Sequence, residues 1–395
     1  PSIDVATVLL AFVVALPVAA TAQTADDLAK ATQNPVAAMI SLPFQNNTLF
    51  GVGPDDDTAN VLNIQPVIPF TVGDWNIINR TIAPVIYLPD VAAVGAFYAD
   101  WTGYGAGVTN YLSVPEMPLD TMGTEFELPG GYIEGGDLAT YQPISGFQDA
   151  YFEDGVAESS KHAWYEGSAS LHPYDGETVP EYTEFQDDGK YSWVKAPTFL
   201  GKRAQVGPLA NVLCMAAAGH EPTKRYLDMV VSTASSLAGM EIPLTALHST
   251  IGRHAARAIR CAVMYESLQN QWQLLMDNIG SGDYETFNRP TFMKGEQRGF
   301  GFHEAPRGVL SHWVVIRDGK IANYQAVVPS TWNAGPRDEA DELGPYEASL
   351  LDNPIADPEQ PLEVLRTVHS FDPCLACAIH MVDDRKQEIV KVKAL

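Results

Sequence analysis

The residues best equipped for chemistry gather near the C-terminus, in Phe371 to His380, which reads FDPCLACAIH. Cys374 and Cys377, three positions apart, and His380 three further on offer two soft sulfur donors and one imidazole. Sulfur ligands select zinc, copper(I), iron–sulfur or other soft-leaning centres. Asp372 followed by Pro373 has the form of a helix start: a carboxylate able to cap free N–H groups, then a ring pre-set for the first turn. A helix from there puts Cys374, Cys377 and His380 on one face, and the dipole at its N-terminus favours the thiolate. Taken alone, these ten residues suit half of a zinc site or a redox dithiol as well as any other metal centre. They exclude c-type haem attachment, which needs a His directly after the second Cys, where this chain has Ala378.

A second stretch, Phe302 to Asn333, reads FHEAPRGVLSHWVVIRDGKIANYQAVVPSTWN. Two β-rich runs flank Asp318-Gly319, a strong signal for a two-residue hairpin turn. With that turn, the register places Arg307 opposite Ser330 and Pro306 opposite Thr331. The open end of the ribbon then presents a guanidinium and a hydroxyl together, a pair suited to a small anionic or strongly accepting ligand. An ordinary strand-end arginine is the plainer reading.

Together these stretches resemble the large subunit of nickel–iron hydrogenases. The resemblance runs from about Val94 to Leu395 and rests on KGEQRGFGFHEAPRG, VVPSTWN, GPYEASL and IADPEQPLEVLRTVHSFDPCLACAIH in that order. It implies an α+β fold, a mainly helical domain with a β-hairpin near the metal site. The cofactors it implies are a Ni–Fe centre whose iron carries CO and cyanide, with magnesium nearby. By position, Cys374 matches a terminal nickel ligand and Cys377 a bridging thiolate. His380 and the carbonyl of Ala326 match magnesium ligands. Arg307, Pro306 and Ser330 match the surroundings of the iron's diatomic ligands, and Asp372 an outer carboxylate beside Arg307. The implied partners are an iron–sulfur small subunit, H2, and a maturation endopeptidase that removes a tail such as residues 381–395. The R-I-C-G-V-C type motif that supplies the family's other thiolates has no match in this sequence. An inactive fusion or truncated fragment holding zinc or no metal is therefore the alternative, and an exported envelope protein is a third.

The elements that would position these residues come next. A chain of 395 residues with 46% hydrophobic and 18% charged residues is long enough for two or three domains with a large core. Its net charge of −25 argues against nucleic acid as a partner, since phosphate contacts need clustered Lys and Arg. Four cysteines are too few for a disulfide framework at this length, and Cys214 and Cys261 read as core thiols. Residues 1–22 resemble a secretory signal, an apolar run ending in Ala20-Thr21-Ala22. Residues 23–93 form a β-rich segment of short antiparallel strands, resembling the opening of an outer-membrane β-barrel-like protein. Residues 94–380 carry the hydrogenase-like domain, whose family location is periplasmic, membrane-associated through partner subunits at the cell envelope. Up to Lys190 this part reads as short strands between glycine-rich loops, with His172-Pro173 in one of them.

Three helices are expected after that: Val206–His220, Thr223–Met240, and Pro243 to about Ile279. Pro208 and Pro222 fit helix starts. In the third, Leu247, Ile251, Ala255, Ala258, Ala262, Tyr265, Trp272 and Leu275 form an expected buried face. Its Arg253, Arg257 and Arg260 read as solvated or ion-paired positions, with a cofactor-contacting row, together with His254, as the alternative.

Overall fold

The computed structural model describes residues 44–52, 57–64, 67–72, 75–80, 83–87, 104–120, 122–283, 287, 294–355, 361–373, 378–382 and 388–393. The chain divides into two compact units, residues 1–94 and 95–395. Among the described residues, no helix is long and apolar enough to cross a membrane.

In the first unit β1 (Phe44–Val52), β2 (Asp57–Ile64) and β5 (Ala83–Tyr87) form one antiparallel sheet. β3 (Val67–Val72) and β4 (Trp75–Arg80) form a separate hairpin.

The second unit opens with small antiparallel sheets. β6 (Tyr111–Ser113), β9 (Gly130–Ile133) and β10 (Gln142–Ile144) form one, and β7 (Glu116–Pro118) pairs with β8 (Phe126–Leu128). After the short helix α1 (Ala150–Glu153), β11 (Val156–Ser159) lies between β12 (Ser170–Leu171) and β13 (Ala196–Phe199). Next come α2 (Pro208–Ala217), α3 (Glu221–Ala238) and α4 (Thr250–Ser281). Pro208 and Pro222 sit in the first turns of α2 and α3, where a missing N–H costs nothing. The Ser249 hydroxyl caps α4 by accepting from Gly252 N–H, and Gly282 ends it in the left-handed region, φ 84°. α4 is 32 residues long, about 48 Å at 1.5 Å per residue.

α4 buries a different face from the one its large apolar residues suggest. Gly252, Arg253, Ala256, Ile259, Arg260, Val263 and Ser267 are inside, while Tyr265 (66% exposed), Trp272 (46%) and Leu275 (50%) face out. The buried stripe is chosen by what packs against the first half of the helix, namely α2 and α3, and small side chains allow that close approach.

The central sheet is β14 (Glu296–Ala305), β15 (Gly308–Arg317) and β16 (Lys320–Val327). Asp318 and Gly319 form the β15–β16 turn, both with positive φ (48° and 76°), as a type I′ turn requires. Two features depart from the expected ribbon. Ala322 is an extra residue between Ile316↔Ile321 and Val315↔Asn323, so the register slips by one beyond it. Arg307 also lies in no ladder: Pro306-Arg307 is itself a two-residue turn, closing β14 onto β15 through Ala305↔Gly308. Short helices α5 (Pro329–Ala334) and α6 (Pro345–Leu350) follow, then α7 (Leu362–Ser370) and a hairpin of β17 (Ala378–Val382) and β18 (Glu388–Lys393). Among the described residues of the second unit helix outweighs strand, and the mixture of helix and sheet is consistent with α+β.

An aromatic core covers one face of the central sheet, with Phe152, Phe199, Phe302, Trp313 and Trp332 buried. Trp313 stacks on Phe300 at 5.0 Å between ring centroids. A second core joins α2 and α4 to Tyr111, Leu128 and Ile133. At the β14–β15 turn, Gly308 has φ 120° and a Cβ there would lie 2.5 Å from Gly207 N. Gly308→Ala is therefore expected to lower stability by more than about 1 kcal/mol. Gly299→Ala, where added Cβ meets open space, should stay within about 0.5 kcal/mol in the same denaturant titration.

Candidate active site

The last turn of α7 is where the described part of the site converges. Phe371 N–H bonds to Val368 O and Asp372 N–H to His369 O, so the helix closes at Asp372. Asp372 takes φ 55°, the left-handed conformation usual just past a helix C-terminus and better tolerated by Asp than by most residues. Pro373 then blocks continuation. Asp372-Pro373 is thus a helix stop where the sequence suggested a start. His380 lies on strand β17, paired with Lys391, and not on a helical face shared with the cysteines. Cys374 and Cys377 fall outside the described residues.

Arg307 reaches this stop from the β14–β15 turn. Its Nε–H donates to Asp372 O at 2.8 Å, and Nη2 approaches Asp372 Oδ1 at 3.3 Å. Both side chains are about a third exposed, 37% and 39%, so the ionic part of the contact is screened by water. The turn can present Arg307 because α2 begins at Gly207, whose bare backbone lies against Arg307 O.

Ser330 is not opposite Arg307. The β15–β16 ladder ends at Ser311↔Val327, and Ser330 sits in the first turn of α5, with Pro329 ending the strand. Pro306 is exposed in the turn itself, and Ala326 pairs with His312 on β16.

The arginines of α4 are bonded inward. Arg253 Nε donates to Ser370 Oγ at 2.7 Å, and its guanidinium stacks on Phe371 at 3.9 Å. Arg257 Nη2 donates to Ser370 O at 2.9 Å. Arg260 makes a buried ion pair with Glu116 at 2.9 Å. Burial pushes Arg253 down to about 9, and Arg257 is also lowered, first by burial and then by neighbouring Arg307, against the pull of Asp372. His254 is held low by burial and by the charges of Arg257 and Arg253. The ion-paired reading therefore suits Arg260, while Arg253 and Arg257 grip chain carbonyl and hydroxyl oxygens.

Two residues were not visible as site components in the sequence. Glu304, three residues before Arg307, is fully buried, and burial pushes its carboxyl up to about 8. Its Oε2 accepts from Val114 N–H and Ser113 Oγ, while Oε1 has no hydrogen-bond partner. Gly207 carried no signal of its own, the helix start there being marked by Pro208.

The remaining candidates separate. His172 is held by its neighbours: Nε2 donates to Glu153 O, Nδ1 accepts from Tyr174 N–H, and the ring packs on Trp313. Cys214 is buried, its thiol donating to Gly131 O and pushed up by burial. Cys261 is exposed on α4, contrary to a core role, because it lies off the buried stripe. Among the described residues, no three His, Cys, Asp or Glu side chains gather to hold a metal.

Comparison with known proteins gives the family. The family described as nickel-dependent hydrogenase matches residues 54–380, further towards the N-terminus than the motifs alone reach. The chain belongs to the nickel-dependent hydrogenase family. It is 52% identical over 311 residues to the Hydrogenase-2 large chain of Escherichia coli strain K12, covering 78% of this chain and 55% of that one. It is 41% identical over 345 residues to the uptake hydrogenase large subunit of Bradyrhizobium diazoefficiens, covering 80% and 56%. Among solved structures it resembles an H2-activated NiFeSe hydrogenase of Dm. baculatum, with TM-score 0.56, 30% identity, and coverage of 71% of this chain and 54% of that one. The chain thus spans about half the length of the curated relatives it matches.

Two consequences can be measured. Asp372→Asn keeps the carbonyl that Arg307 Nε uses and tolerates positive φ, so its stability loss should stay below about 1 kcal/mol by denaturant titration. For Glu304, the folded carboxyl at about 8 lies above its ordinary 4.5, so the folded state holds the proton more tightly. Its contribution is full below the ordinary value and is lost as pH rises through about 8. Glu304→Gln should flatten the fall in melting temperature between those limits.

Proposed function

We propose that this chain is the metal-bearing large subunit of a nickel–iron hydrogenase, catalysing reversible oxidation of H2 to protons and electrons. The observation that carries the reading is Arg307 bonded to Asp372, two residues before Cys374, a span of at most about 7 Å. The hairpin turn is thereby tied to the chain that leads into the CxxC motif.

The donor set tests the fit. Cys374 and Cys377 supply soft sulfur of the kind nickel and iron take, so the residues present suit their share of such a centre. Of the two described cysteines, Cys214 is committed to Gly131 O and Cys261 lies exposed on α4. When bound, a nickel–iron centre with CO and cyanide on iron supplies the electron-rich metals at which hydrogen is split. The residues of this chain do the rest. Cys374 would help hold the metals and, as a thiolate, would be the base that takes the proton. Arg307 spends two N–H donors on Asp372 and keeps others for polarising a small ligand. Pro306 and Ser330 would contact the iron's ligands, and the His380 imidazole with the Ala326 carbonyl would hold magnesium. Electrons leave through an iron–sulfur small subunit. A maturation endopeptidase removes residues 381–395, and the assembly works at the periplasmic side of the cell envelope.

A second reading, suited by a donor set of two thiolates, is a CxxC segment that binds zinc or no metal and turns nothing over.

Co-expression with a small subunit and metal analysis separates the two. The first reading expects nickel and iron in equal amounts and hydrogen-dependent dye reduction, both lost in Cys374→Ser and both kept in Cys261→Ser. Zinc alone, or no metal, with no turnover in the unsubstituted protein would overturn it.

A further inference from the structure

α4 carries three arginines whose bonds close a circuit around the site. From Arg257, Nη2 donates to Ser370 O, the carbonyl two residues before Asp372 O. Asp372 O accepts from Arg307 Nε. Arg307 follows Ala305 by two residues, and Ala305 O accepts from Arg260 Nη1 at 2.9 Å. Arg260 returns to α4 three residues from Arg257, a rise of about 4.5 Å. A second strand of the circuit runs from Arg253 to Ser370 Oγ, and Thr250 Oγ1 meets Thr367 Oγ1 at 3.2 Å.

We infer that Arg257 and Arg260 are positioning residues that fix, from one rigid helix, the separation between the Arg307 turn and the chain entering Cys374. This rests on the functional reading above. Arg260 is suited to the task by its fork: Nη1 and Nη2 hold Ala305 O and Glu304 O, and Nη2 also bonds Glu116. It is 8% exposed and Glu116 4%, so the bonds form away from water, where they are strongest. A lysine carries the charge without the fork. Arg257 holds Ser370 O through Nη2 alone, a bond a lysine ammonium can replace, and its Nη1 lies 3.4 Å from His254 Nδ1 on the same helix.

That difference separates positioning from bulk stability. In the full chain carrying isotope-labelled arginine, Arg307 Nε–H should exchange slowly because Asp372 O holds it. Arg257→Leu and Arg260→Lys should speed that exchange at least about tenfold, the scale of one charged hydrogen bond. Arg257→Lys should restore it. Arg225→Lys, altering an exposed pair with Glu266, should leave it unchanged. In the assembly with a small subunit, the first two should lower kcat for hydrogen and leave KM within about twofold. If Arg257→Leu fails to fold, the contrast between Arg257→Lys and Arg260→Lys carries the test. Unchanged Arg307 exchange in Arg260→Lys overturns the inference. An assembly without any hydrogen turnover would sink the functional reading instead, while the exchange measurement would still judge the circuit.

Discussion

One hydrogen bond organises the described site: Arg307 Nε–H to the carbonyl of Asp372. It joins a turn of the central sheet to the end of α7, segments 65 residues apart in sequence. A bond from a charged donor to a backbone acceptor is worth roughly 1.5–3 kcal/mol, and it fixes direction as well as distance. The neighbouring carboxylate adds less, because water reaches both partners.

The surroundings make sense as conditions for that bond. Gly308 and Gly207 remove side chains where β14–β15 and α2 meet, so the turn can lie on the helix N-terminus. Asp372 accepts a left-handed backbone so that α7 stops with its carbonyl turned to Arg307. Behind the sheet, Phe302, Trp313 and Val315 bury large apolar surface, which supplies the stability needed to hold three guanidiniums close together. Arg253, Arg257 and Arg307 all bond residues 370–372 or stack on Phe371, so the positive charge gathers at the end of α7.

Much of this was legible in the sequence, for identifiable reasons. Asp318-Gly319 announced its turn because two consecutive positive φ angles admit few residue pairs, and Pro208 and Pro222 marked helix starts through their missing N–H groups. The meeting of Arg307 with Asp372 was legible only through family motifs, since no periodicity links residues so far apart. The ribbon register failed at Ala322, as a bulge leaves no mark in a run of β-formers. It failed again at Pro306-Arg307, where a two-residue turn was hidden by counting from the other end. α4 misled because its largest apolar residues lie off the packed stripe, which is set by neighbours and not by the helix itself. Glu304 went unnoticed because a buried carboxylate is a property of the packed interior. Asp-Pro reads equally as a start or a stop, and the tertiary pull of Arg307 on Asp372 accompanies the stop.

The central claim is that the Arg307 turn and the CxxC segment share one metal pocket. Anomalous diffraction at the nickel edge, on crystals of the assembled large and small subunits, tests it most directly. The account predicts a single nickel peak bonded to Cys374 and within direct or one-water reach of the Arg307 guanidinium. A peak more than about 10 Å from Arg307, beyond any such bridge, or no nickel peak at all, would contradict it.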